Sequence, residues 1–381
     1  MSAARSTNRQ LVVLTAAKVV ANTALRWVAP FLPVLQAAFS TTTGTLTSVM
    51  GVAELGGLST LLTGSVMDRG RERAVFVAGL AAVGLSSLIA LGGSVTTFAV
   101  AFAVLIVGVT NLTVAAHAWI GNRVPLAERS RSIGIAETSW AMALLVGAPV
   151  VALLIGRFGW RGPFMALAVA SAVAAVVVVW KVPGAPPRSA RVKSEVIRVP
   201  LGGAAWASLM VSAATAASGI GIFVVSGVWL DEHHGVSTAG LGLIAAGFGI
   251  VELGSSSAVA AVGDRIGTRR SIVIGLLVLL AGLGLMVGSG ASQVLAVAGL
   301  MVFLAGFEFA FVSSITLVSE AAPDARGRAI GIGNAVGTLA RAAAVAAGGV
   351  AYESFGIGGS VSLSALAAGV ALVLILVRAG P

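Results

Sequence analysis

Twelve long apolar runs, separated by short polar stretches, set the rhythm of this 381-residue chain: 11–35, 45–67, 74–93, 97–121, 131–156, 161–182, 201–230, 237–262, 271–290, 293–318, 328–351 and 357–377. A run of about 18 or more apolar residues is long enough to cross a bilayer as a helix. In lipid the backbone has no water to bond, so each run must satisfy its own amides and carbonyls, and helix does this. A membrane β-barrel would show segments of about ten residues with alternating polarity, and these are absent from the sequence. The expected fold class is therefore an all-α membrane protein with twelve transmembrane helices.

Composition agrees. Hydrophobic residues make up 57% of the chain and charged residues 10%, with a mean hydropathy of +1.02. A water-facing domain needs far more charge. The 49 glycines suit helices that pack closely in lipid. A net charge of +10 could suggest nucleic acid, but the basic residues sit in the loops. With the N-terminus placed in the cytoplasm, nineteen of the 24 Lys and Arg residues fall on that side. Arg157 and Arg161 fall outside, and Lys18, Arg26 and Arg341 lie within runs. This bias predicts a multi-pass protein of the cell (inner) membrane, with both termini cytoplasmic and no nucleic-acid partner. The first run carries Lys18 and Arg26 and offers no small-residue cleavage site, so no cleaved leader is expected. There is no cysteine, hence no disulfide or thiol chemistry.

The stretch "PGAPPRSARVKSEVIRVP", 183–200, breaks the apolar pattern and reads as a cytoplasmic linker. It divides the chain into six runs at 1–182 and six at 201–381. The two parts repeat each other. "GVAELGG" at 51–57 returns as "GIVELGS" at 249–255, "DRGRER" at 68–73 as "DRIGTRR" at 264–270, and "RSIGIAE" at 131–137 as "RAIGIGN" at 328–334. The offsets are 198, 196 and 197 residues. That period is too long for a solenoid and fits a duplicated six-helix bundle.

The loop after the second run is similar to the signature G-x-x-x-D-R-x-G-R-R of the major facilitator superfamily. Here it is Gly64, Asp68, Arg69, Gly70, Arg71 and Arg73, one residue short between Arg69 and Gly70. Its second copy is Asp264, Arg265, Gly267, Arg269 and Arg270, with Ala260 at the first glycine. Gly147 and Pro149 resemble the glycine–proline signature of the family's exporters, and the trailing Gly-Trp-Arg with Phe164 is similar to drug:proton antiporters. Val104 stands four residues before Gly108, where the family usually carries arginine. The resemblance implies two pseudo-symmetric six-helix bundles around a central cavity. It also implies a cytoplasmic gate at Gly64, Asp68, Arg69, Arg71 and Arg73 and at Asp264, Arg265, Gly267, Arg269 and Arg270, latched by the aspartates. A basic loop that only fixes topology is the alternative.

Seven charged residues lie inside the runs, away from their ends: Lys18, Arg26, Glu54, Glu137, Glu252, Glu308 and Arg341. Each costs roughly 2.5–3.5 kcal/mol at a helix centre and so needs a partner or water. None falls in the third, sixth, ninth or twelfth run, the helices that the resemblance implies are peripheral. Lys18, Asn22 and Arg26 recur every four residues and form one polar stripe; Gly331, Asn334, Thr338 and Arg341 form another. Glu308, in "LAGFEFAFVSS", is the first proton-coupling candidate, because a carboxyl alternating between apolar and basic surroundings binds and releases a proton. Glu137, Glu54 and Glu252 follow, with fixed salt bridges as the alternative role. Arg26, Asn22, Arg341, Asn334, Asn111 and Trp140 are expected in the substrate cavity. Lys18 is read as reaching toward the cytoplasm, and His117, on one face with Thr110 and Thr113, as packed, with lining the cavity as the alternative.

His233 and His234 in "WLDEHHGVS" lack a distant ligand set, so no metal site is expected, and no Walker sequence or other cofactor motif is present. Without a paired nucleophile and base, the chain does not read as an enzyme. The resulting expectation is a monomeric secondary transporter working by alternating access in membrane lipid. It exports a hydrophobic or amphipathic small molecule in exchange for protons. A symporter or facilitator for a nutrient or organic anion, and a non-transporting sensor, are the alternatives.

Overall fold

The computed structural model describes residues 2–184, 201–322 and 326–377. The side chains at 2–6, 65, 68, 127, 130, 264 and 326–328 are outside that description, as is nearly all of the linker expected at 183–200. Among the described residues the elements are helices. They are α1 (Ser2–Arg26), α2 (Leu32–Phe39), α3 (Thr43–Glu54), a 3-10 turn (Leu55–Ser59), α4 (Thr60–Asp68), α5 (Glu72–Ala90), α6 (Val95–Arg123) and α7 (Leu126–Met142). A π-helical turn (Ala143–Gly147), α8 (Ala148–Phe158), α9 (Arg161–Lys181), α10 (Gly203–His234), α11 (Thr238–Ile266), α12 (Thr268–Val287), α13 (Gln293–Glu320) and α14 (Arg326–Val377) follow.

Ten stretches among the described residues are long and apolar enough to cross a membrane. The last of these holds two of the twelve expected spans, because α14 bends at Gly356, whose φ of 62° leaves the helical region. The first expected span is also divided. It stops at Arg26 and resumes at Leu32, across a turn containing Pro30 that the apolar pattern concealed. The second is divided by the 3-10 turn at Gly56–Gly57, and the fifth by the π-turn. Glycine and proline loosen the regular ladder at these places.

Polar side chains fix several helix starts. Ser94 accepts the amide of Thr97 while Thr97 returns a bond to Ser94, closing a capping box on α6. Thr42, Ser237 and Ser292 cap α3, α11 and α13. The turns carry the duplication in their dihedrals. Left-handed glycines stand at Gly70, Gly93 and Gly159 and again at Gly267, Gly290 and Gly356, each pair 197 residues apart. Two of the six are the glycines of the repeated charged loop.

The described residues group into two compact units, 2–28 with 56–184 and 29–55 with 201–377. In the first, α5 and α6 approach so closely that a Cβ on Gly79 would lie 2.7 Å from the carbonyl of Gly108, and one on Gly108 2.9 Å from that of Gly79. In the second, α12 and α13 meet in the same way, at 2.8 Å for Gly275 against the Gly306 carbonyl and 2.6 Å for the reverse. Small residues let backbones touch where lipid provides no hydrophobic drive.

Candidate functional site

The polar stripe of α1 finds its partners on α7. Lys18 is 1% exposed and its Nζ lies 2.5 Å from Oε1 of Glu137. One turn on, Asn22 Nδ2 donates to Ser139 Oγ at 3.1 Å. A further turn on, Arg26 Nη1 donates to the Trp140 carbonyl at 2.9 Å, and its guanidinium lies 4.5 Å from the centre of the Trp140 ring. The i, i+4, i+8 spacing thus puts three polar groups on one face of α1, and α7 offers an acceptor to each.

A third helix completes the cluster. His117 of α6 places Nε2 2.8 Å from the same Glu137 Oε1. A single carboxylate oxygen therefore serves a buried ammonium and an imidazole. The three members differ in access: Lys18 is sealed, whereas the side chains of Glu137 and His117 are 42% and 39% exposed. A buried ammonium is tolerated only with its counter-ion. Glu137 supplies that counter-ion while its own side chain stays partly exposed.

The π-turn follows directly. At its end Gly147 abuts Thr23 of α1, where a Cβ would lie 2.5 Å from Oγ1. Glycine at this point of the exporter-like signature lets α1 and the π-turn close up beside the cluster. Trp27 extends the contact, meeting Phe164 edge-on at 5.1 Å.

The sequence ranked this cluster low. It marked Glu137 behind Glu308, read Lys18 as reaching toward the cytoplasm and read His117 as packed. Lys18 is instead inside the protein and paired, and His117 is half exposed and paired. Their partners lie 119 and 20 residues from them along the chain, so no local pattern announced the triad. The charge of Lys18 and its place in the stripe were the only signals.

The remaining candidates sit elsewhere. Asn111 is buried on α6, bonding Ser59 Oγ at 2.7 Å, Thr63 Oγ1, and the carbonyl of Val107 at 2.8 Å in its own helix. It ties α6 to the 3-10 turn and α4. In the second unit, Arg341 Nε meets Glu54 Oε2 at 3.3 Å and Nη2 meets Thr338 Oγ1 at 3.2 Å. This pair joins α14 to α3, and Asn334 lies exposed two stripe positions away from Arg341. Glu252 and Glu308 are both buried, near the middles of α11 and α13.

The charged loops are assembled within each unit. Arg73 Nη1 donates to the carbonyls of Val182 at 3.0 Å and Val179 at 3.4 Å, closing the C-terminus of α9. Arg269 Nη2 donates to the Leu376 carbonyl at 2.8 Å, at the last turn of α14. A guanidinium there meets the negative end of the helix dipole. Gly70 and Gly267 supply the left-handed turns, at φ 78° and 86°. Arg69, Arg71, Arg265 and Arg270 are exposed, and Gly64 has open space around its Cα. The side chains of Asp68 and Asp264 lie outside the described residues.

Comparison with known proteins places this architecture. The family model described as Major Facilitator Superfamily matches residues 14–214 and 207–381. No individual curated protein sequence matches. Among solved structures, a D-xylose-proton symporter superposes with a TM-score of 0.80 at 16% identity, covering 97% of each chain. The xylose transporter XylE from E. coli in an inward-open conformation gives 0.76 at 16% identity, over 97% of this chain and 95% of that one. A bacterial homolog of the human lysosomal transporter Spinster, inward-facing and unoccupied, gives 0.75 at 14% identity, over 97% and 94%. At such identities these structures show the fold. Because the family model covers both halves of an all-helical, multi-pass membrane protein, the chain belongs to the Major Facilitator Superfamily, a family of transporters and not of enzymes.

Proposed function

We propose that this protein is a proton-coupled secondary transporter of small amphipathic molecules, that it works by alternating access, and that Glu137 carries the coupling proton. The observation behind this reading is one carboxylate oxygen shared by Lys18 and His117, at 2.5 and 2.8 Å, on a side chain that is 42% exposed. Protonating Glu137 removes the charge that holds Lys18. The cluster then has two electrostatic states, and an alternating carrier needs such a pair at its coupling group. The segments 1–182 and 201–381 act as two six-helix bundles in the inner membrane, with both termini cytoplasmic and the chain monomeric.

The test is purified protein in proteoliposomes under an imposed pH gradient. Glu137→Gln is expected to lose gradient-driven accumulation while keeping substrate exchange. Glu308→Gln, run in parallel, is expected to keep both. Loss confined to Glu308→Gln would move the coupling to α13.

A second reading concerns direction. Gly147 and Pro149, in the segment similar to exporters, flank the end of the π-turn against α1. This favours export by proton antiport. Its signature is alkalinisation of the compartment that receives the substrate.

A further inference from the structure

The charge balance around Glu137 identifies what can replace it. The elements packed on this part of α7 are α1, α6 and the π-turn. α1 presents Lys18 and Arg26, α6 presents His117, and the π-turn "ALLVG" brings no charge. On α7 itself the other charged residues, Glu128, Arg129 and Arg131, lie near its start, six or more residues before Glu137. Lys18 and His117 thus share one carboxylate, and Arg26 adds a second cation on the same face of α1, against Trp140.

Resting on the reading of Glu137 as the coupling group, we propose that the substrate carries a carboxylate or a similar anionic headgroup, which takes the place of Glu137 on Lys18 and His117, so that one proton and one anion are bound together.

Access singles out the member that moves. Lys18 is 1% exposed and held in place, whereas Glu137 is 42% exposed and carries both contacts on Oε1 alone. When a proton from water neutralises Glu137, Lys18 remains an ammonium in a buried place without a counter-charge. That is a costly state, and an incoming anion relieves it. On release the anion leaves, Glu137 gives up its proton, and the Lys18–Glu137 pair reforms. The proton and the anion therefore travel in the same direction, which opposes the antiport reading above: here the compartment that receives the substrate acidifies. A cationic substrate would approach Lys18 and Arg26 and find the only carboxylate of the cluster already engaged twice. Beside the ion pair, the Trp140 ring, 39% exposed and held by Arg26, offers a flat apolar face for the body of an amphipathic anion.

The test uses the full chain in detergent, weakly buffered, with two matched probe series: benzoate, benzamide and benzylamine, and octanoate, octanamide and octylamine. Calorimetry reports binding and a pH electrode reports proton exchange. The carboxylates are expected to bind at least about tenfold more tightly than the amides and amines, with uptake of about one proton per bound anion. Their affinity should fall about tenfold per pH unit on the alkaline side. Glu137→Gln should bind the carboxylates without proton uptake and without that pH dependence. Lys18→Gln should lose them, and Lys18→Arg, which keeps the buried charge, should retain them if the glutamine variant does not fold. Amine binding with proton release, carboxylate binding without proton uptake, or no carboxylate binding would each overturn the proposal. Should amines be driven by the pH gradient and Glu137→Gln abolish it, the coupling role stands and the anionic substrate falls. Should Glu137→Gln leave gradient-driven transport intact, the coupling role itself falls.

Discussion

The two units solve the same geometric problem with different chemistry. Each pairs two helices through facing glycines, Gly79 with Gly108 and Gly275 with Gly306, and each closes its last helix with a loop arginine, Arg73 or Arg269. Each also bonds the first residue of one helix to the last residue of the next. In the first unit that bond is an ion pair, Glu72 of α5 with Arg123 of α6, with Glu72 fully buried. In the second it is an exposed hydroxyl-to-carboxylate hydrogen bond and not an ion pair, Thr268 of α12 with Glu320 of α13 at 3.2 Å. The contrast widens toward mid-span. α1 carries Lys18 and Arg26, whereas α10 carries no Lys or Arg and spends Ser208, Thr215, Ser218 and Ser226 on its own backbone. Glu137 lies 197 residues before Asn334, and Arg341 lies 197 after the buried Leu144. Duplication has preserved turns and close approaches, which any six-helix bundle needs, while the charges have diverged. Function therefore follows the charges, and the backbone they stand on is shared.

Breaking the asymmetry should give the largest effect. Glu137→Asn makes the first unit carry what the second carries at 334, and proton-driven accumulation in proteoliposomes should fall to the level of empty vesicles. Asn334→Glu should not restore it, because α10 offers no lysine. Next comes the buried ion pair. Glu72→Ala removes the counter-charge of Arg123 and should cost about 2–3 kcal/mol, below the range for fully sealed pairs because Arg123 is 19% exposed. Thr268→Ala, its positional match, should leave the melting temperature in detergent nearly unchanged. Gly108→Ala and Gly306→Ala probe what the units share. Each Cβ would press on a facing backbone, so both should lose about 1–3 kcal/mol, and unequal losses would show that one close approach has slack. The smallest effect should come from Arg73→Gln and Arg269→Gln, about 0.3–1 kcal/mol each from the lost helix-end charge, fading at high salt.

Much of the fold could be read from the chain alone, because a bilayer imposes length and apolarity on every crossing element. The repeat was legible for a related reason: left-handed turns demand glycine, and "DRGRER" and "DRIGTRR" expose it. The breaks at 27–31, 55–59 and 143–147 were not legible. Pro30 and Gly56–Gly57 are consistent with them, but the flanking residues are as apolar as the rest of the span, so hydrophobic periodicity passes straight through. The α1 stripe was visible as spacing, while its partners were not, since Ser139 and Trp140 look ordinary in "ETSWAM". Lys18 was misplaced for the same reason. A lysine in an apolar run is equally consistent with reaching outward or with a partner more than a hundred residues away, and only folding decides between them. Asn111 shows the converse: a mid-span amide looks like a ligand group until Ser59 and Thr63 are found against it.

The π-turn at Ala143–Gly147 sets the azimuth of everything before it. A helix advances about 100° per residue, and a π-turn accommodates one extra residue without lengthening the helix by a full step. Forcing Ala143–Gly147 into a regular α-helix without removing a residue would swing Glu137, Ser139 and Trp140 together by about that angle relative to Pro149 and α8, whereas deleting one residue with the bulge would leave them in register. Three contacts with α1 thus share one mechanical setting, and ironing out the π-turn at constant length would disengage the whole row like a clutch.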